Sequence, residues 1–261
     1  MRMENCRPLR GQASPPRKLQ ESKVFCATFF KKVAPCLTPT TERVLTRHGV
    51  LLSGGYLLTE SLKVERCAGA ALAAALPALA ALRIRVFRDW PYLYDGTDAY
   101  EAAYLQTYLK APGAAVMVAW DGEQPVGAST CLPMAEADAA VQAPFRARGL
   151  DLGAFFYFGE SVLLPAYRGR GIGVRFFELR EAQASAHPGV RHAGFCAVQR
   201  PPDHKLRPSG AGDLSGFWTH RGYTRRPDLT CRMAWKDIDQ PDETEKTLVF
   251  WLRALHGDPL P

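Results

Sequence analysis

Hydrophobic and polar positions follow no sustained period over residues 1–58, which mix Pro, Lys, Arg, Ser and Thr and end just after the Ser53-Gly54-Gly55 break. From Ser61 the pattern becomes regular. It predicts a short strand at 62–67, an Ala/Leu-rich helix at 70–87 and a second helix at 98–110, capped by Asp98 and stopped by Pro112-Gly113. Residues 114–120 and 125–132 read as strands joined by Asp121-Gly122-Glu123-Gln124, because Asp-Gly supplies the positive φ angles of a tight hairpin turn. An apolar run at 154–164 reads as a longer, buried strand. A helix at 172–186, a strand at 190–199, a Pro-rich segment and a short helix at 214–221 follow. Strands at 230–237 and 246–254, separated by the polar residues 239–244, close the chain. Strands alternating with helices at this spacing predict one α/β domain on a mixed sheet. The organisation so read is a basic, disordered tail at 1–58 and a folded domain at 59–257. An upstream start, with the native one at a non-Met codon near Leu57 or Leu58, is left open.

Charge changes this picture only in the tail. The chain of 261 residues is 47% hydrophobic, ample for a core, and carries a net charge of +7. Ten Lys and Arg against four Glu lie in residues 1–60, so only +1 remains for everything after Glu60. A nucleic-acid partner is therefore not expected of the folded part, which also lacks an aromatic-basic strand motif. The seven cysteines are scattered singly, with no C-x-x-C pair, which fits reduced thiols and a cytoplasmic address. The apolar stretch at 68–82 contains Pro77 and runs into Arg83 and Arg85, so no membrane span is expected. The six histidines show no metal-ligand spacing; His187 and His192 flank a turn and are expected at the surface, and no metal is expected.

The most informative segment is Arg168-Gly169-Arg170-Gly171-Ile172-Gly173-Val174, between a buried strand ending at Pro165 and an amphipathic helix. Glycines let main-chain N–H groups converge on an anion, and the helix N-terminus adds about half a positive charge, so the turn has the form of a phosphate or pyrophosphate site. A nucleoside-triphosphate loop needs Gly-Lys-Ser/Thr at the helix start, whereas Gly173 is followed by Val174 and Arg175. A dinucleotide fingerprint needs G-x-G-x-x-G at the start of a βαβ unit, whereas the glycines here are spaced G-x-G-x-G in the middle of a mixed sheet.

Arg-x-x-Gly-x-Gly after a strand ending in Pro-x-Tyr resembles the coenzyme A signature of the GNAT superfamily of N-acetyltransferases. Phe217-Trp218-Thr219-His220-Arg221-Gly222-Tyr223 is similar to that family's late helix and Gly-Phe/Tyr pair. The element order follows the family over residues 60–255. The resemblance implies a single GNAT-like acyltransferase domain with a mixed, mostly antiparallel sheet and splayed central strands, behind the disordered tail. It implies that acetyl-coenzyme A is the acyl donor, held at the pyrophosphate by residues 168–174 and along the pantetheine by main-chain atoms of Ser161 and Leu163. Trp218 stands where the family commonly places a tyrosine that protonates the coenzyme A sulfur, and is expected to bind the cofactor there by at most a hydrogen bond from its indole N–H to that sulfur.

Deprotonation of an amine needs a base or water relay near the thioester. Tyr157 and Glu160 are the nearest titratable residues, and strict alternation puts Tyr157 on the side of Ser161 and Glu160 on the other unless a bulge intervenes. Partial burial of Glu160, the only carboxylate on that strand, would raise its pKa toward a useful range. Cys196 is a candidate nucleophile without a histidine placed to activate it. The insertion at 201–213 could turn Asp203 or His204 into an acceptor pocket. The expected reaction is acetyl transfer from acetyl-coenzyme A to a primary amine of a small molecule, by direct attack in a ternary complex. A coenzyme A-binding module without turnover and an acetyltransferase acting on a protein amine are the alternatives. No nucleic acid or membrane partner is expected, and a homodimer is left open.

Overall fold

A computed structural model describes residues 62–261, so the expected tail at 1–58 lies outside the described residues. Seven strands form one sheet in the order β1-β2-β3-β4-β5-β7-β6. They are β1 (Leu62–Ala68), β2 (Ala115–Asp121), β3 (Gln124–Pro133), β4 (Phe155–Leu163), β5 (His192–Val198), β6 (Thr224–Lys236) and β7 (Glu243–Ala254). Every neighbouring pair is antiparallel except β4 and β5. The expected mixed, mostly antiparallel sheet is therefore present, with its single parallel junction at the centre.

Five helices cover the sheet: α1 (Ala70–Phe87), α2 (Asp98–Lys110), α3 (Ala139–Ala147), α4 (Ile172–Ser185) and α5 (Ser215–His220). Thr97, rather than the expected Asp98, caps α2 by accepting from the Tyr100 N–H. By composition α1 is long and apolar enough to cross a membrane, with a mean hydropathy of 1.7. In the fold, however, Leu72, Leu76, Leu79, Leu82 and Phe87 bury one stripe of it in the core.

Two elements differ from the sequence pattern. No helix is expected at 133–153, yet α3 forms there. Pro144 inside it interrupts the usual reading, but Asp138 caps its first turn by accepting from Ala140 N–H, and Val141 and Phe145 bury one face. β6 begins at Thr224 rather than 230. Pro227 breaks the alternation, and the structure absorbs it in a register shift between Arg226 and Thr230 on this edge strand, where a missing N–H costs no pairing.

Candidate functional site

The central feature is the divergence of β4 from β5. They pair only at Phe155 with His192, Phe156 with Ala193 and Tyr157 with Gly194. From residue 158 on, β4 keeps β3 on one side and has no strand among the described residues on the other. The register shows which main-chain groups face that opening. Leu164 N–H donates to Val126 O, while Gly127 stands opposite Leu163. Leu163 is thus in a non-hydrogen-bonded pair, and its own N–H and C=O point away from β3 into the cleft. Alternation gives Ser161, opposite Ser129, the same direction. Its hydroxyl lies 2.9 Å from that of Ser129.

β4 leads through a short 3-10 turn, Pro165–Tyr167, into the glycine turn. The Tyr167 hydroxyl donates to Asp121 at 2.8 Å, tying this turn to the β2 end of the β2–β3 hairpin. Gly169 and Gly171 take φ of 79° and 82°, a left-handed conformation that a β-carbon disfavours. A β-carbon on either would meet nothing within 4 Å, so the concavity is open. Gly171 begins α4 without any side-chain cap, leaving the first-turn N–H groups of Ile172, Gly173 and Val174 directed outward at the positive end of the helix. The Arg170 guanidinium lies 5.1 Å from the Tyr167 ring centre, beside this turn. Arg168 folds back instead, and its Nε donates to Leu163 O at 3.2 Å. Burial pushes its pKa down from the usual arginine value.

A bulge separates Tyr157 from Ser161. Ser129 faces Ser161, but Cys131 faces Phe158, so β4 spends one extra residue opposite Thr130. This corrects the alternation expected from sequence: Tyr157 and Glu160 share the face covered by α2. Glu160 is not partly but fully buried. It pairs with Arg83 of α1 and accepts from Thr130 Oγ1, and Tyr108 of α2 donates to its Oε2 at 2.6 Å. Arg83 also pairs with Glu101 at 2.5 Å. Tyr157 lines a small pocket with Tyr104, Thr107, Tyr108, Leu132, Ala137 and Asp138. Its hydroxyl lies 3.4 Å from Cys196 Sγ on β5. The tyrosines of α2 were missed by sequence reasoning, although Tyr100, Tyr104 and Tyr108 at i, i+4 spacing mark one helix face.

Across the sheet, Phe158, Phe195 and Tyr223 each meet Phe177 edge to face, and Trp218 meets Phe195 in the same way. Trp218 is buried against Phe195 and Trp251 at 5.1 and 5.0 Å, and its indole N–H has no partner among the described residues. Tyr223 donates to Glu181 at 3.1 Å, and burial, reinforced by that carboxylate, raises its pKa well above the usual tyrosine value. The insertion at 201–213 leaves Asp203 exposed, while His204 packs on Trp90 at 5.3 Å. His192, expected at the surface, is buried against Phe155, with its Nε2 3.0 Å from Pro259 O.

No protein-family model matches this chain, and no curated protein matches it. Among solved structures the chain is similar to NAA60 of Arabidopsis thaliana in complex with a bisubstrate analogue. The TM-score is 0.49 at 11% identity, over 76% of this chain and 99% of that one. It is similar to an acetyltransferase from Thermus thermophilus at TM-score 0.45 and 16% identity, over 75% of this chain and 99% of that one. It is also similar to the loading GNATL domain of CurA from Lyngbya majuscula, at TM-score 0.47 and 16% identity, over 76% and 99% of the two chains.

Proposed function

We propose that this chain is a GNAT-type N-acetyltransferase that passes the acetyl group of acetyl-coenzyme A to a primary amine of a small molecule. The observation that carries the reading is one continuous main-chain track. The unpaired edge of β4 presents the N–H and C=O groups of Ser161 and Leu163, and the same chain then enters an uncapped helix N-terminus with two left-handed glycines. An extended amide-bearing arm ending in a pyrophosphate matches both ends of that track. The amide arm completes the edge as a strand would, and the pyrophosphate accepts from the first-turn N–H groups of α4.

In this reading Arg168, Gly169, Arg170, Gly171, Ile172, Gly173 and Val174 hold the pyrophosphate. Leu163 O is already engaged by Arg168, so Leu163 contributes its N–H and Ser161 contributes both main-chain groups. The thioester then lies toward Tyr157, where the strands part. The amine attacks from the α2 face. Carbon–nitrogen bond formation gives a tetrahedral centre, whose collapse expels the thiolate. Trp218 packs beside the cleft and takes no proton. The pocket at Tyr157 has a cavity volume of about 10 Å³, room for about one water, so it marks a place beside the thioester and not a preformed acceptor site. Free thiols at Cys67, Cys131 and Cys231 support a reducing, cytoplasmic setting.

The test is thiol release from acetyl-coenzyme A over a panel of small amines and a lysine-containing peptide, with calorimetry of coenzyme A binding alongside. Turnover with small amines supports the reading. Binding without turnover on any acceptor replaces it with a non-catalytic coenzyme A module, and turnover on the peptide alone replaces the acceptor.

A further inference from the structure

Arg168, Arg170 and Arg175 stand at the glycine turn and the first turn of α4, and the protein itself engages two of them. Arg168 is half-buried, with its Nε donating to Leu163 O at 3.2 Å. Arg175 pairs with Glu178 along α4 at 3.2 Å. Arg170 differs from both. It is exposed and makes no hydrogen bond or ion pair among the described residues, so its N–H donors remain uncommitted. What it does touch is the ring of Tyr167, whose centre lies 5.1 Å from the guanidinium carbon, within reach of a cation–π contact.

Tyr167 is in turn fixed at its far end. Its hydroxyl donates at 2.8 Å to Asp121, a residue from the end of β2. Asp121 is held in register opposite Leu62 of β1 and Gln124 of β3, so the sheet carries the anchor. By accepting this bond the carboxylate sets the orientation of the ring and feeds electron density into it, which strengthens its attraction for a cation. The same bond raises the Tyr167 pKa above the usual tyrosine value, so the hydroxyl keeps the proton it donates. A long side chain free in solvent loses rotamer entropy when a ligand orders it, whereas one already leaning on a fixed ring loses less.

We propose that Tyr167 and Asp121 are positioning residues for the acyl donor, holding the Arg170 guanidinium beside the uncapped N-terminus of α4, where it takes the pyrophosphate. The proposal rests on the reading of this turn as the coenzyme A site and adds a second kind of grip to it. Main-chain N–H groups cradle the pyrophosphate from the helix side, and the planar fork of Arg170 meets its oxygens from the hairpin side. A lysine would keep the charge and lose the fork. The arm therefore selects a thioester that carries a pyrophosphate over one that carries the same amide arm without it.

The test titrates the full-length protein by calorimetry with coenzyme A and with pantetheine, which is the same arm lacking the pyrophosphate. Arg170→Ala should weaken coenzyme A binding about tenfold or more, as loss of a hydrogen bond to a charged group does. Tyr167→Leu removes the ring and should weaken it roughly three- to fivefold. Tyr167→Phe keeps the ring, cuts only the bond to Asp121, and should fall between that variant and the wild type. Arg170→Ala combined with Tyr167→Leu should bind no more weakly than Arg170→Ala alone, because Tyr167 acts through Arg170. Pantetheine should bind every variant as it binds the wild type. A packing role for Tyr167 would weaken both ligands and add its full loss to that of Arg170→Ala. That outcome, or unchanged coenzyme A affinity in Arg170→Ala, would overturn the proposal while leaving the acyl-transfer reading intact. A Tyr167→Phe affinity equal to the wild type's would overturn the part given to Asp121. A wild-type protein that binds no coenzyme A would overturn both the arm and the reading beneath it.

Discussion

Gly171 stands at φ 82° with open space where its β-carbon would be, so a larger side chain there meets no protein atom and, in the proposed site, would occupy the place of the pyrophosphate. Gly171→Val should therefore reduce coenzyme A affinity at least tenfold by calorimetry. It should also cost stability of about 1–2 kcal/mol, because a β-branched residue resists the left-handed conformation. Unchanged affinity in a folded variant would remove the turn from the site. Trp218 gives the opposite expectation. Its N–H is buried and has no partner among the described residues, and an indole has no proton to deliver near neutral pH. Trp218→Phe should lower turnover by less than about tenfold, since a positioned acid would be worth about 10²- to 10⁴-fold. A larger loss with coenzyme A affinity retained would make Trp218 catalytic. The glycine turn was readable from sequence because its chemistry is local: glycine spacing, helix start and strand end lie within a few residues. The environment of Glu160 was not. It depends on Arg83, Glu101 and Tyr108 arriving from other elements, and on one extra residue in β4 that moves its side chain to the other face.

Most helices and strands announced themselves through periodicity, and the exceptions share a cause in proline. Pro144 hid α3 and Pro227 hid the start of β6, because a residue without an N–H reads as a break while the fold tolerates it on a short helix or an edge. Pro77 lies in the middle of the 18-residue α1, is exposed, and removes the N–H that would bond to Ala73 O. The flanking Leu72, Leu76, Leu79 and Leu82 anchor the helix on the sheet in spite of it. Pro77→Ala should restore that bond and raise stability by about 1–3 kcal/mol in chemical denaturation, with coenzyme A binding unaffected. A destabilised variant would mean that α1 needs the proline's bend to fit the sheet.

The described residues form two half-sheets, β1-β2-β3-β4 and β5-β7-β6, joined along the sheet by three residue pairs. A ligand that binds in the opening touches both halves and binds only the folded state. At about 100 times its Kd, coenzyme A should add about 2.7 kcal/mol to stability. For a domain of this size that is a rise in Tm of roughly 5–10 °C in a thermal melt. A melt that does not respond to coenzyme A at that concentration would argue against the proposed cleft.

Those three pairs also form a seam that no neighbouring rung reinforces on the open side. Opening there needs few bonds to break, so those amides among Phe155–Tyr157 and His192–Gly194 that bond across the seam, and not to β3 or β7, should exchange with deuterium sooner than those of the long β6–β7 ladder. With coenzyme A bound they should slow, whereas the β6–β7 amides, already protected, should change little. Exchange in the seam would then report donor occupancy with no acceptor present, which lets the two substrates be ordered before the acceptor is known.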